Sequence, residues 1–191
     1  MKRTFLSFIK IFLFGVSFLG ALYFFIPWRE VGTFGMSIAH NQLQRRGMTL
    51  RYSDVTSERH GFTVHNLTLT GFADISLSSV SIQPELLTSA LTFSPVCTIA
   101  FRGASVRIGR VMKFGDGSFL LTGGREVLVE DLHTNGEFSI DGYLTVDTSS
   151  MKIGRADAEI KFPEEFASNI SVMKNFLPLV QEGGKWYLRR K

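Results

Sequence analysis

The chain has 191 residues, 45% of them hydrophobic and 20% charged, so it is neither disordered nor low in complexity. A single cysteine, Cys97, excludes an internal disulfide and a cysteine-built zinc centre. The net charge of +4 resides at the termini: residues 11–184 hold 14 Lys and Arg against 17 Asp and Glu, which excludes a basic nucleic-acid footprint.

Residues 1–4 read as a short cytoplasmic tail, followed at 5–28 by a transmembrane signal anchor. Ile11–Ile26 carries no charge. Sixteen helical residues rise only about 24 Å, short of a hydrocarbon core of about 30 Å. Including Phe5–Ile9 closes the gap, because the Lys10 ammonium can snorkel to the headgroups. Tyr23 and Trp28 suit the far interface, and Pro27 stops the helix. A cleaved signal peptide is the rival reading, but cleavage after Gly20 or Ala21 would place Phe18 or Leu19 where a small residue is required. The positive-inside rule then sends the remainder across the membrane, into a bacterial periplasm.

Residues 29–47 predict a juxtamembrane helix with Val31, Phe34, Ile38 and Leu43 as its apolar stripe and Gly47 as its left-handed cap. That stripe would pack under the first strands or lie in the outer face of the bilayer. From Met48 the apolar period becomes two, marking 48–191 as a β-rich exported domain. Phe62 and Val64 alternate, and Leu67 and Leu69 resume after a one-residue slip at His65-Asn66. Ile75 and Leu77 give way to Val80 and Ile82 through a like slip at Ser78-Ser79. Such a slip inverts the buried face unless a bulge or turn absorbs it.

Pro84–Leu91 predicts a short helix, with Leu86, Leu87, Ala90 and Leu91 on one side. Further strands are expected at Val96–Ile108, Ser118–Thr122, Val127–Leu132, Glu137–Val146 and Met151–Phe162. Gly115-Asp-Gly117, Gly123-Gly124 and Asn135-Gly136 are the turn signals between them. Pro163–Val180 predicts a helix with Phe166, Ile170, Met173, Phe176, Leu177 and Val180 as an apolar stripe, which would cover the sheet or dock a partner. Gly183-Gly184 then releases a last strand, Lys185–Leu188. The fold class is mainly β: an antiparallel, curled sheet or sandwich with helices at its margins.

Chemistry-bearing patterns are sparse. His60 and His65, near Asp54 and Glu58, lack a Cys or third His to complete a metal set. No Gly-x-Ser-x-Gly elbow or phosphate loop occurs. Asp141 and Asp147 read as solvated strand positions, and Cys97 as a small buried residue of an apolar strand. No enzyme, metal or cofactor is expected.

The run Val64-His-Asn-Leu-Thr-Leu-Thr-Gly71, then Ile75-Ser-Leu-Ser-Ser-Val-Ser-Ile-Gln-Pro-Glu-Leu-Leu87 and Gly103-Ala-Ser-Val-Arg-Ile108, resembles AsmA-like envelope proteins. The short chain, single anchor and Gly-Glu-Phe-Ser-Ile-Asp-Gly142 strand are more similar to the N component of type II secretion systems. That resemblance implies a single-pass inner-membrane protein with a β-rich periplasmic domain, working with envelope or secretion proteins. The alternative is a lipid-handling module like the AsmA-like proteins or the lipopolysaccharide-export component. Phe62, Leu67, Leu69, Ile75 and Leu77 would then line an apolar groove or, failing that, a closed core.

Overall fold

A computed structural model describes residues 25–71, 73–124, 126–147, 152–163 and 178–190, together with positions 10, 13–15, 17, 20 and 166. The proposed anchor at 5–28 and the helical stripe residues Ile170, Met173, Phe176 and Leu177 lie outside these, apart from a few positions. Among the described residues, no helix is long and apolar enough to cross a membrane.

Helix α1 (Trp28–Gln44) leads into β1 (Thr49–Arg51), β2 (Asp54–Glu58), β3 (Gly61–Thr70) and β4 (Asp74–Pro84). A short helix α2 (Leu86–Thr92) connects β4 to β5 (Val96–Ile108). Then follow β6 (Arg110–Thr122), β7 (Glu126–Thr134), β8 (Ser139–Asp147), β9 (Ile153–Lys161), β10 (Leu179–Glu182) and β11 (Lys185–Arg190). All the described strands join one open antiparallel sheet, in the order β1-β3-β4-β5-β6-β7-β8-β9-β11-β10, with β2 also on β3. Neighbours in sequence are neighbours in space, as short hairpin connections demand. The exceptions are at the two ends: β1 and β2 both pair with β3 rather than with each other, and β11 pairs with β9 and leaves β10 as the edge.

The phase slips are absorbed within the strands. Asn66 adopts φ 50°, so Leu67 and Leu69 turn back to the cluster that holds Phe62 and Val64. Asn66 and Asp131 (φ 50°) are joined by Gly103 and Gly115 in the left-handed region, and the deviations run as a line across β3, β5, β6 and β7. Ser78 belongs to the same line, because a Cβ on Gly103 would lie 2.4 Å from its hydroxyl. In β5 the apolar phase changes from Ile99 and Phe101 to Ala104 and Val106, and in β7 from Val127 and Val129 to Leu132. Gly115-Asp-Gly117 is therefore no turn but the β6 member of this line. The Asp116 carboxylate accepts the Gly103 N–H (2.9 Å), and its own N–H donates to Asn135 Oδ1 (2.9 Å). The β5–β6 reversal falls at Gly109 instead. Asn is among the few residues that tolerate a left-handed φ. Asn66→Val should cost about 1–2 kcal/mol in urea unfolding, while Asn66→Gly should be nearly neutral.

Two apolar clusters stand at the flanks of the sheet. In the first, α1 packs Trp28, Gly32 and Met36 onto β1–β3, against Leu50, Val55, Phe62 and Val64, with Ala39 and Leu43 alongside. This spacing is helical, but of the predicted stripe it includes Leu43 alone. Val31, Phe34 and Ile38 face outward, Phe34 being 69% exposed. Gly32 decides the phase: a Cβ there would lie 2.6 Å from Phe62 Cδ2 and 2.8 Å from Val55 Cγ1. The helix therefore approaches the sheet closely along its glycine face.

In the second cluster, Leu179 and Leu188 of the β10–β11 hairpin pack with Ala156, Ala158 and Ile160. Val180 is thus a strand residue and does not belong to a helix: Leu179–Glu182 pairs with Lys185–Leu188 across the Gly183-Gly184 turn. The Pro178 carbonyl already accepts the Arg189 N–H at 3.0 Å, which fixes extended pairing from this residue on. Arg189 binds Glu182 (2.8 Å) and Asp157 (3.3 Å) across the exposed side of the hairpin.

Candidate functional site

Cross-strand partners share a face, so the register divides the sheet into an apolar and a polar side. Between the two clusters the described residues cover the apolar side only in part. Ile75, Leu77, Ile99, Phe101, Val106 and Phe119 are all half-buried, and none is fully enclosed. Ile75 pairs with Val106 and Leu69, Leu77 with Leu67, and Ile99 with Phe119 and Ile82. The Phe101 and Phe119 rings stand 6.3 Å apart. Further along, Phe138 is buried between Phe114 (5.7 Å) and Phe166, which meets it edge-on at 4.6 Å.

The five residues expected to line a groove are thus divided. Phe62, Leu67 and Leu69 form the core beneath α1, whereas Ile75 and Leu77 belong to the half-open strip beside it. The cover over the first strands is the N-terminal helix. Sequence reasoning missed Ile99, Phe101, Val106 and Phe119 as members of the strip. The signal was present, because these residues repeat the phase slip seen in β3 and β4.

The polar side is lined with Ser, Thr and charged residues. A depression of about 530 Å³ there is lined by Glu58, Thr63, His65, Ser79, Ser81 and Gln83 with the kinked middle of β5 and β6. The Glu58 carboxylate accepts hydrogen bonds from Thr63 Oγ1, Ser81 Oγ (3.0 Å) and Gln83 Nε2 (3.3 Å). The Thr63 bond foremost, with Ser81 and Gln83, holds its carboxyl below the ordinary glutamate value against the opposing effect of burial. A depressed folded-state pKa stabilises the fold at pH above the unfolded carboxyl's pKa, and the contribution vanishes as pH falls through the folded value. Glu58→Gln should therefore lower stability by about 1–2 kcal/mol at neutral pH and by progressively less in acid. Urea unfolding across a pH series checks this, and a pH-independent difference would refute the assignment.

The histidines do not converge on a metal. His65 Nε2 lies 3.0 Å from Thr56 Oγ1 on the polar side, and His60 sits in the β2–β3 turn. Among the described residues, no group of three His, Cys, Asp or Glu could hold a metal ion. Asp141 is hydrogen-bonded to His133 of the neighbouring strand, a pair the sequence reading did not single out, and both are substantially exposed. Residues 130–133 and 141–143 line the depression beside it, and no serine or cysteine is among them. Asp147 ends β8, its N–H donating to the Lys152 carbonyl at 3.0 Å. Burial first, then the Glu85 carboxylate, pushes the Cys97 thiol up, away from nucleophilic thiolate.

Comparison with known proteins adds one match. The family model described as type II secretion system protein GspN-like, Synergistales, matches residues 3–190. No curated protein and no solved structure matches the chain.

Proposed function

The chain belongs to the GspN-like type II secretion family, and from that premise we propose that it is a membrane-anchored, non-enzymatic component of protein export. In this reading the apolar segment that begins at residue 5 and ends before Pro27 crosses the bacterial inner membrane once, Trp28 already belongs to the domain core, and residues 48–191 work in the periplasm. The half-open apolar strip from Ile75 and Leu77 to Phe119 is the surface offered to other envelope or secretion proteins. The observation that carries this is the family match over nearly the whole chain, with a sheet whose apolar side, among the described residues, is roofed by α1 over its first strands and half-open beyond them. Covering such a strip contributes about 25 cal/mol per Å² of apolar area removed from water. The test is affinity purification of the full chain after gentle detergent extraction, comparing wild type with Leu77→Asp. Envelope or secretion proteins should accompany the wild type and be lost from the variant. Recovery of none with the wild type would overturn the reading.

The same strip favours a second reading, that it carries acyl chains. Each buried methylene would contribute about 0.8 kcal/mol. Native mass spectrometry separates the two: lipid retained by the wild type and lost from Leu77→Asp supports a lipid-handling module, and lipid-free protein rejects it.

A further inference from the structure

The β4–β5 connection is the most exposed apolar feature among the described residues. From Leu86 to Pro95 it carries no charged side chain. None of the α2 residues is buried. Leu87 is 79% exposed, Leu91 76% and Phe93 93%. Soluble surfaces seldom leave so many neighbouring large apolar groups in water.

These groups are held outward by a fixed base. The Glu85 N–H donates to the Val96 carbonyl (2.8 Å), the Val96 N–H to Ser89 Oγ (2.8 Å), and Thr98 Oγ1 to the Glu85 carboxylate (3.0 Å). The Gly123 N–H reaches the Pro95 carbonyl at 2.7 Å. Phe93 itself sits in the left-handed region at φ 53°, a conformation unfavourable for a residue with a side chain. The connection is thus built to display its apolar side chains.

Register places this connection. Glu58 pairs with Gly61 at the β2–β3 turn, Phe62 with Ile82, Pro84 with Cys97, and Val96 with Thr122, so the β2–β3 turn and α2 lie at one end of the sheet. The start of α1 points to that same end. Gly32 lies over Val55 and Phe62, whereas His40, two turns later, reaches the Leu50 carbonyl (3.0 Å) farther along. The uncharged run Ile11–Ile26 therefore joins the domain at the end where α2 displays Leu87, Leu91 and Phe93.

We infer that the α2 connection is a second membrane contact, seating Leu87, Leu91 and Phe93 in the interfacial zone of the same bilayer that holds the anchor. This rests on the anchor reading proposed above. Two contacts at one end would fix the orientation of the sheet above the membrane, where a single helix leaves it free to swivel.

The full chain, with Cys97→Ser, is reconstituted into phosphatidylethanolamine–phosphatidylglycerol vesicles with brominated acyl chains. An environment-sensitive fluorophore is attached through Phe93→Cys or, at an ordinary helical position, Leu87→Cys. Arg110→Cys, at the opposite end of the sheet, is the reference. Flotation of the vesicles first reports whether the chain is membrane-bound at all. Emission from positions 87 and 93 should shift to the blue and be largely quenched by bromine, and that from 110 should be unaffected. Floating protein with water-like emission at 87 and 93 overturns the inference alone and points to a protein occupant of the patch. Protein that does not float overturns the anchor reading and the inference together.

Discussion

Replacing Trp28 with Ala is expected to destabilise the fold by about 3–5 kcal/mol, the usual cost of deleting a large aromatic side chain from a core. Trp28 opens α1 and is only 5% exposed, within the cluster of Val55, Phe62, Val64, Leu50 and Met36. For a chain of this size the thermal midpoint should fall on the order of 10 °C. By hydropathy alone Trp28 is an interfacial belt residue next to Pro27. A belt tryptophan would leave the midpoint of the detergent-solubilised protein nearly unchanged on substitution, since its contacts are with lipid. An unchanged midpoint would therefore remove α1 from the core.

Gly142→Val should be comparably severe, costing about 4 kcal/mol from backbone strain together with overpacking. Gly142 lies opposite both Leu132 and Ala158, at φ 147°. A Cβ there would meet the Asp157 carbonyl oxygen at 2.3 Å and Ala158 Cα at 2.5 Å, backbone atoms that have no rotamer to escape into. The change should open the β8–β9 ladder and loosen the second cluster, which rests on Ala156, Ala158 and Ile160. Amide exchange locates the effect: protection should fall first in β8, β9 and β11, while β3–β5 retain theirs. Uniform protection with an unchanged midpoint would contradict it.

Much of the strand content was legible because alternation is a local property. The Val96–Ile108 strand appears with the expected limits, and the expected runs at 127–132 and 137–146 differ from β7 and β8 by one or two residues at most ends. The Gly183-Gly184 hairpin was half legible: Lys185–Leu188 was read as a strand, but Leu179 and Val180, the first half of its partner Leu179–Glu182, were assigned to the end of a helix. Val180 fits an apolar helical stripe and a strand equally well over so short a run. Only pairing with Tyr187 distinguishes them. Asp-Gly pairs give a similar ambiguity. Gly115-Asp-Gly117 suits a reversal or a kink inside a strand, since both require residues that tolerate unusual φ, and the contacts with Gly103 and Asn135 select the kink.

The candidate strip shows the same division. Ile75 and Leu77 were named from their alternation, and both belong to it. Phe62, Leu67 and Leu69, named on the same grounds, are instead roofed by α1. Periodicity reports which residues share a face but carries no information about what lies above that face.

By itself the sequence determined the β-rich class, the alternation along each strand, the helix after Pro27, and the lack of a nucleophile or metal motif. These follow from side-chain chemistry and from periods of 2 and 3.6 within single segments. Tertiary structure alone decided which stripe of α1 is buried, which strand forms the edge, and which apolar strand residues lie beneath α1. The physical reason is that each depends on close approach between segments distant in the chain. Gly32 shows this plainly: as a residue it has almost no hydrophobic signal, yet its missing side chain is what lets Phe62 and Val55 reach the helix and turns Val31, Phe34 and Ile38 outward.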